Sequence, residues 1–446
     1  MNPREMRLSK TVLLGAFILC QCLQCLVCAS AQERAILEKL VSDKVISQLE
    51  ADSIKKQLPI AVTPQTDARR VNVFGMLQIQ YNMMESTMGD TYKEGFDGFY
   101  LRRIFLGAQG DISDTLSGYV RFDFARKNTN NSDYLLDAYI TKQVDFHGLK
   151  GNLQVGIKKV QFGYEEVIPC DKLSSIETSL ATRYFAYSER IDGRLGFGQR
   201  YVGVFWNGEV EQIKGLKYNF AVTNAINNSM TPRAYLSGKD TNPESANSVN
   251  LWFAADYTTN ITDDATLRIG VKTGFGNQAN IAQTADGETV YGTILGADPF
   301  FEFRYKNDFI LWAEYLCASV QYGRDNATRQ AVPQGYNAQA EYIVDIGDFG
   351  RLGFVVRGSQ LFSNGRGISI KDSINYCQDP STSLVSKVLF DQASSIYAGI
   401  TWYIRGDNMK FQAGYEWSRF DKPLRKTVDG SFGDVNCVRA QVQILF

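Results

Sequence analysis

From residue 71 to the end of the chain, apolar and polar residues alternate with a period of two, the spacing of a β-strand with one apolar and one polar face. The last segment shows this best, since Val438 and Ile444 share one parity while Arg439 and Gln443 share the other, and the chain ends on Phe446. The pattern predicts sixteen strands, near 71–84, 98–111, 115–127, 133–146, 151–161, 197–208, 214–224, 248–260, 265–276, 291–306, 308–321, 335–347, 350–363, 393–404, 408–420 and 433–446.

The connections between these strands alternate between short turns and long polar loops. Short turns are predicted at 112–114, 147–150, 209–213, 261–264, 307, 348–349 and 405–407. This asymmetry is typical of outer-membrane barrels, which have short periplasmic turns and longer outer loops. We therefore predict an all-β fold: a transmembrane antiparallel β-barrel of about 16 strands over residues 71–446.

The N-terminus has the pattern of a signal peptide. Basic residues precede an apolar run over 12–27, and Ala29-Ser30-Ala31 fits a cleavage site, so we assign residues 1–31 to the signal. A retained membrane anchor is disfavoured because Gln21 and Gln24 interrupt the run.

Residues 32–70 form a second unit, a short periplasmic helical segment and a linker. Ile36, Leu37 and Leu40 recur at helical spacing, and Pro59 and Pro64 end the pattern. The segment either assembles protomers or approaches the cell wall, or it is an inert spacer.

Composition agrees with a barrel and narrows the function classes. Aromatic residues make up 12% of the chain, and 38 Gly accompany only 10 Pro. The formal charge is −1, and it becomes −3 once the signal, with three basic residues and one acidic residue, is removed. This balance does not favour nucleic-acid binding.

No catalytic, cofactor or metal site is predicted. The single histidine, His147, falls in a short turn, and no nucleophile and base accompany it. The four cysteines after the signal are too widely spaced for a metal site. Two of them, Cys170 and Cys377, fall in outer loops, where they either form a disulfide or stay unpaired.

The connection at about 162–196 is far longer than most loops. Its apolar residues, among them Leu180, Tyr184 and Phe185, would be covered if it folded into the barrel. We predict that it narrows the pore. Its candidate constriction residues are Lys172, Arg183, Glu189, Arg190 and Arg194, although acidic residues outnumber basic ones in the loop.

Strand charges should point into the lumen, because a charge on the lipid face is costly. By parity the pore-lining basic residues are Arg103, Arg121, Lys158 (or its neighbour Lys159), Arg268, Lys272, Arg304, Arg357, Lys410 and Arg439. Guanidinium groups bind oxyanions bidentately, so these residues either form an anion path or pair with carboxylates across adjacent strands.

Several motifs resemble the phosphate-selective porin O and P family. They are RRIFLG at 102–107, LDAY at 136–139, GIKKVQFGYEE at 156–166, SER at 188–190 and AGITWYIRGDNMKFQAGYEW at 398–417. The resemblance spans most of 71–446. It implies a sixteen-stranded, usually trimeric channel with an inward-folded loop and anion passage aided by luminal basic residues.

The first functional hypothesis is an outer-membrane porin for passive diffusion of small hydrophilic solutes, with a preference for anions such as phosphate. Its expected partners are those solutes, outer-membrane lipid and two further copies in a homotrimer, without nucleic acid or a cofactor. The alternative is a surface-binding or adhesive barrel with a plugged lumen, which would use the loops near 225–247, 277–290 and 364–392. An outer-membrane enzyme is a third hypothesis.

Overall fold

The computed structural model describes residues 70–86, 97–125, 134–146, 149–186, 195–224, 249–283, 289–306, 308–324, 327–369, 389–424 and 432–446. The predicted signal peptide and helical segment, His147 and Cys377 lie outside these ranges. The predictions that concern them, including the pairing of Cys170 with Cys377, therefore stay predictions.

The described chain is mostly strand. The strands are β1 (Val71–Ser86), β2 (Asp97–Ser113), β3 (Leu116–Asp123), β4 (Leu135–Phe146), β5 (Leu149–Lys159), β6 (Arg200–Val210), β7 (Leu216–Asn224), β8 (Val249–Asn260), β9 (Ala265–Gln283), β10 (Thr289–Tyr305), β11 (Phe309–Arg324), β12 (Ala327–Ala331), β13 (Gln334–Asp345), β14 (Arg351–Phe362), β15 (Ile368–Ser369), β16 (Leu389–Tyr403), β17 (Met409–Pro423) and β18 (Phe432–Leu445). Two short helices, α1 (Tyr164–Val167) and α2 (Leu180–Ala186), lie between β5 and β6, and a 3-10 helix spans Gly347–Phe349. None of the described helices has the length and apolar character needed to cross a membrane.

The strands form one closed antiparallel sheet. Each barrel strand pairs with its neighbour in the chain, and β1 pairs with β18 from Met76 opposite Leu445 to Ser86 opposite Val435. β11 also pairs directly with β13, and β14 with β16, so the short β12 and β15 only extend loop ends. Sixteen strands therefore surround the lumen, which confirms the predicted number.

The two faces of the sheet have the polarity of a barrel in lipid. On β18, Val438 and Ile444 are exposed on the outside, whereas Arg439 and Gln443 are buried inside. The terminal Phe446 exchanges two backbone hydrogen bonds with Gly75, of 2.7 and 3.1 Å, and so completes the closure onto β1. A soluble protein would show the opposite polarity, because apolar side chains avoid water.

The predicted short turns all join strands at one end of the barrel, where the connections are two to five residues long. At the other end the prediction of a loop over 277–290 was wrong. β9 and β10 continue as a hairpin to Gln283 opposite Thr289. Their backbones thus stay paired beyond the apolar part of the strands, on which the prediction depended.

Candidate functional site: the loop inside the barrel and the charged inner wall

The chain between β5 and β6, residues 160–199, is called here the inner loop; its residues 160–186 and 195–199 are described. Its two ends run side by side. The Val160 amide donates to the Gln199 carbonyl at 3.1 Å, and the Phe162 and Phe197 rings stack with centroids 4.5 Å apart. The loop therefore leaves and re-enters the wall at one place, between β5 and β6.

Apolar side chains hold the inner loop against inward-facing residues of distant strands. Phe162, Leu180 and Phe185 are fully buried in the same cluster as Leu316 of β11 and Leu361 of β14. Burial of side chains this large contributes roughly 1.5–3 kcal/mol each. Inward-facing residues on the opposite side of the barrel thus shield these apolar side chains from water.

Close backbone approach accompanies this packing at Gly335 of β13. A Cβ added there would lie 2.8 Å from the Ala181 Cβ and 3.2 Å from the Phe185 ring, closer than side-chain atoms normally approach. Glycine at this position allows α2 to lie directly on the wall.

Polar side chains of the wall bind polar groups of the inner loop. Glu314 of β11 accepts hydrogen bonds from the Tyr164 amide at 2.6 Å and from the Thr182 hydroxyl at 2.8 Å. Lys410 of β17 donates to the carbonyls of Asp171 and Leu173 at 2.6 and 2.9 Å. Each contact satisfies a buried loop group that would otherwise lose its hydrogen bond with water.

The predicted residue Arg357 of β14 is one of these attachments. Its Nη1 donates to a Glu165 carboxylate oxygen at 2.7 Å, to the Ser175 hydroxyl at 2.8 Å and to the Glu177 carbonyl at 2.6 Å. Arg357 therefore binds both the start and the middle of the inner loop.

Beside Arg357, the carboxylate of Glu416 of β17 is surrounded by three guanidinium groups. Its carboxylate accepts from Arg183 of α2 at 3.0 Å and from Arg439 of β18 at 2.5 Å, and Arg357 Nη2 lies 3.6 Å away. All four side chains are fully buried, at 2% exposure or less. Removing one partner from such a group leaves uncompensated buried charge.

A further ion pair involves a residue that the parity rule missed. Arg102 of β2 donates to both carboxylate oxygens of Glu177, at 2.5 and 2.9 Å. The register shifts between Gln78 and Ile79, which skips Arg102 and turns both it and Arg103 inward. Burial alone would raise the pKa of Glu177, but Arg102 holds that pKa well below its usual range.

The predicted constriction residues are placed only in part. Arg183 is buried in the Glu416 group, whereas Lys172 is exposed. Glu189, Arg190 and Arg194 lie outside the described residues.

The predicted pore-lining residues separate into two sets. Five are buried: Arg103, Lys272, Arg357, Lys410 and Arg439. Of these, Arg103 donates to Gln78 at 2.6 Å, and the Lys272 ammonium lies 3.6 Å from Asp298 and 4.0 Å from the centre of the Phe300 ring. The other four, Arg121, Lys158, Arg268 and Arg304, are partly or largely exposed to the lumen.

The second set belongs to what we call the open wall: Arg121, Lys158, Lys159, Arg200, Arg268 and Arg304. Lys158 and Lys159 both reach the lumen, the first bonding Gln154 and the second Glu166. Arg200 was missed because it shares its parity with the outward-facing Val202 and Val204, although it pairs with Asp137 inside the barrel.

On the open wall each ion pair exposes its cation more than its carboxylate. The side-chain exposures are 24% and 5% for Arg121 and Asp137, 18% and 5% for Arg200 and Asp137, 27% and 5% for Lys159 and Glu166, 33% and 14% for Arg268 and Asp256, and 48% and 10% for Arg304 and Glu302. In these five pairs the group that meets solvent is therefore mainly the cation. Among the residues described, no cluster of His, Cys, Asp and Glu could hold a metal ion.

Comparison with solved structures finds the same architecture in outer-membrane proteins. An anion-selective porin from Comamonas acidovorans superposes with a TM-score of 0.52 at 10% identity, covering 85% of this chain and 100% of its own. The outer-membrane channel DcaP of Acinetobacter baumannii gives 0.51 at 12% identity, covering 86% and 99%. OprB of Pseudomonas putida gives 0.51 at 9% identity, covering 85% and 94%. These likenesses show the fold alone.

Sequence comparison identifies the family. No curated protein matches the sequence significantly. The family described as phosphate-selective porin O and P matches residues 71–446, which is nearly the whole described chain. Family and fold together indicate a channel rather than an enzyme. The chain therefore belongs to the phosphate-selective porin O and P family and is a β-barrel channel of the bacterial outer membrane.

Proposed function

We propose that the protein is a passive porin for small hydrophilic solutes that prefers anions, phosphate among them. The observation that carries the proposal is the exposure of the open wall, where every cation of an ion pair is more exposed than its carboxylate. A permeating ion meets the ammonium and guanidinium groups first, while the acids lie behind them. Charged side chains that line a pore set its ion selectivity in this way.

The inner loop determines where solutes pass. It is attached to β11, β13, β14 and β17, as Glu314, Gly335, Arg357 and Lys410 show. Inward residues of these four strands are buried, whereas the six open-wall residues keep contact with solvent. The loop thus narrows the lumen, and the passage follows the open-wall cations that stay exposed.

Position also decides the role of the predicted basic residues. Arg121, Lys158, Arg268 and Arg304 line the passage, together with Lys159 and Arg200. Arg103, Arg183, Lys272, Arg357, Lys410 and Arg439 act instead by fixing the loop and the wall. Lys172, which is exposed, stays a candidate constriction residue, and so do Glu189, Arg190 and Arg194, which lie outside the described residues.

Flux and selectivity are tested separately. Liposomes containing the protein should swell in isotonic solutions of small sugars or amino acids, since the passage is open. No swelling would overturn the porin and favour the surface-binding barrel with a plugged lumen.

In planar bilayers with a KCl gradient, the sign of the reversal potential should show that the channel is anion-selective. Added phosphate should lower the chloride current because both use the same passage. A reversal potential of the opposite sign would refute the anion preference.

We also propose a homotrimer, the usual state implied by the family. The outer wall carries exposed apolar side chains that either lipid or a second copy would cover, including Phe99, Ile140, Tyr342 and Val356. Crosslinking in native membranes followed by denaturing electrophoresis should give a band at three times the monomer mass. A monomer band alone would contradict this.

A further inference from the structure

Aromatic rings form a stack on the inward face of β1, β3 and β4. The Phe74 and Tyr119 rings lie 5.5 Å apart with planes 27° from parallel, and Tyr119 and Tyr139 lie 4.9 Å apart at 16°. All three side chains are only half-buried, although they face a water-filled lumen. Apolar surface left open to water in this way is covered favourably by a ligand with an apolar face.

The backbone next to this stack leaves room for it. Gly156 of β5 lies opposite Tyr139, with a φ of +142°. A Cβ at Gly156 would lie 2.2 Å from the Ala138 carbonyl oxygen and 2.9 Å from the Tyr139 Cβ. Any other residue would therefore displace β4 and the tyrosine ring.

A cation lies at the end of the stack. The Lys158 ammonium is 5.5 Å from the centre of the Tyr139 ring and 5.9 Å from that of Phe205, and it also contacts the Gln154 amide oxygen. Among the described residues, no carboxylate lies within ion-pair distance of Lys158. Its charge is therefore available to an incoming anion.

Two more cations border the same place. Arg121 and Arg200 share the carboxylate of Asp137, at 2.5 and 2.8 Å. With Lys158 this makes three cations against two carboxylates, Asp137, which both arginines already bind, and Asp171 of the inner loop, whose charge also acts on Tyr119. The local field therefore favours a negatively charged group beside the aromatic stack.

We propose that this place is a binding site for aromatic carboxylates. The carboxylate of the solute pairs with Lys158 and the guanidinium edge of Arg121 or Arg200, and its ring packs against Tyr119 and Tyr139. An inorganic anion would use the cations but leave the rings uncovered. The proposal rests on the anion passage along the open wall, of which it names one solute class.

The test compares two carboxylates of equal charge in single-channel recordings. Benzoate and acetate are added separately to chloride at constant ionic strength, and the concentration that halves the chloride current is measured. Since aromatic pairs contribute roughly 0.5–1.5 kcal/mol and 1.4 kcal/mol is tenfold, benzoate should block at a concentration about 2- to 10-fold lower than acetate.

Variants separate the ring from the charge. Tyr139→Leu and Tyr119→Leu should remove the advantage of benzoate over acetate, whereas Tyr139→Phe should keep it. Lys158→Gln should weaken the block by both anions. Tyr342→Leu is the matched control, because Tyr342 is exposed on the outer face of β13, and it should behave like the unmodified protein.

Two outcomes would overturn the proposal: equal block by benzoate and acetate, or an unchanged benzoate advantage in both leucine variants. If the reversal potential still shows anion preference, only the aromatic site fails. A cation-selective channel would remove the proposed function and the site together.

Discussion

Neutralising Glu416 should release the inner loop from the wall. In the Glu416→Gln variant one acceptor oxygen is replaced by an NH₂ group, which then faces guanidinium donors. Arg183 and Arg439, now 3.0 and 2.5 Å from the carboxylate, would lose a charged partner while remaining buried. Breaking a buried pair on one side typically costs about 3–5 kcal/mol.

This cost falls on the docked state of the loop, because Arg183 would regain water if α2 moved into the lumen. At 1.4 kcal/mol per factor of ten, the undocked population should rise by roughly 10²- to 4 × 10³-fold. An undocked loop changes the width of the passage, so the assay is the single-channel conductance. Records of the variant should show frequent conductance steps that the unmodified protein lacks.

The control is Glu209→Gln, the same substitution at a carboxylate in an exposed pair, where Lys217 lies 3.2 Å away. Exposed pairs contribute only about 0–1 kcal/mol, so its records should match those of the unmodified protein. If Glu416→Gln folds and its conductance is as steady as that of the control, the buried arginines do not hold the loop.

Three other perturbations test the same attachment. Phe185→Ala should leave a cavity and weaken the free energy of loop docking by about 3–5 kcal/mol. Conductance steps should then appear, and steady records would contradict the packing. Gly335→Val should displace α2, since a Cβ would already meet Ala181 at 2.8 Å; an unchanged conductance would show that α2 does not lie there. Because the pKa of Glu177 is depressed, its ion pair with Arg102 stabilises the docked loop fully above the usual glutamate pKa of about 4.3. This stabilisation is lost as the pH falls through the depressed value. Conductance should thus stay steady from pH 7 to about 5 and become unsteady in stronger acid. The conductance of the Glu177→Gln variant should be unsteady already at pH 7. Steady, pH-independent records of that variant would refute this role of Glu177.

Much of the fold could be predicted because alternate residues of each strand in a membrane barrel face lipid and the watery lumen. The parity of Val438 and Arg439 assigned their faces without any tertiary information, and the same rule located all sixteen strands. The end of β9 was harder, since Gln283 pairs with Thr289 beyond the apolar part of the strand, where alternation no longer carries a signal.

The site could be predicted only as a set of inward charges. Arg357 and Arg121 have the same parity and chemistry, yet one is 1% exposed beneath the inner loop and the other faces the lumen. The difference depends on which wall the loop covers, through contacts such as that between Arg357 and the Glu177 carbonyl, 180 residues apart. Arg102 was hidden by a one-residue register shift, for which the sequence gives no sign.

The central claim is that exposed cations of the open wall make the channel prefer anions. The most direct measurement is the reversal potential in a KCl gradient, compared between the unmodified protein and a variant carrying Arg121→Gln, Arg268→Gln and Arg304→Gln. The account predicts an anion-selective potential that shifts toward the cation-selective sign in the triple variant, since Asp256 and Glu302 would then be uncovered and Asp137 would keep only Arg200 as a partner. Identical potentials for the two proteins, or cation selectivity of the unmodified protein, would contradict it.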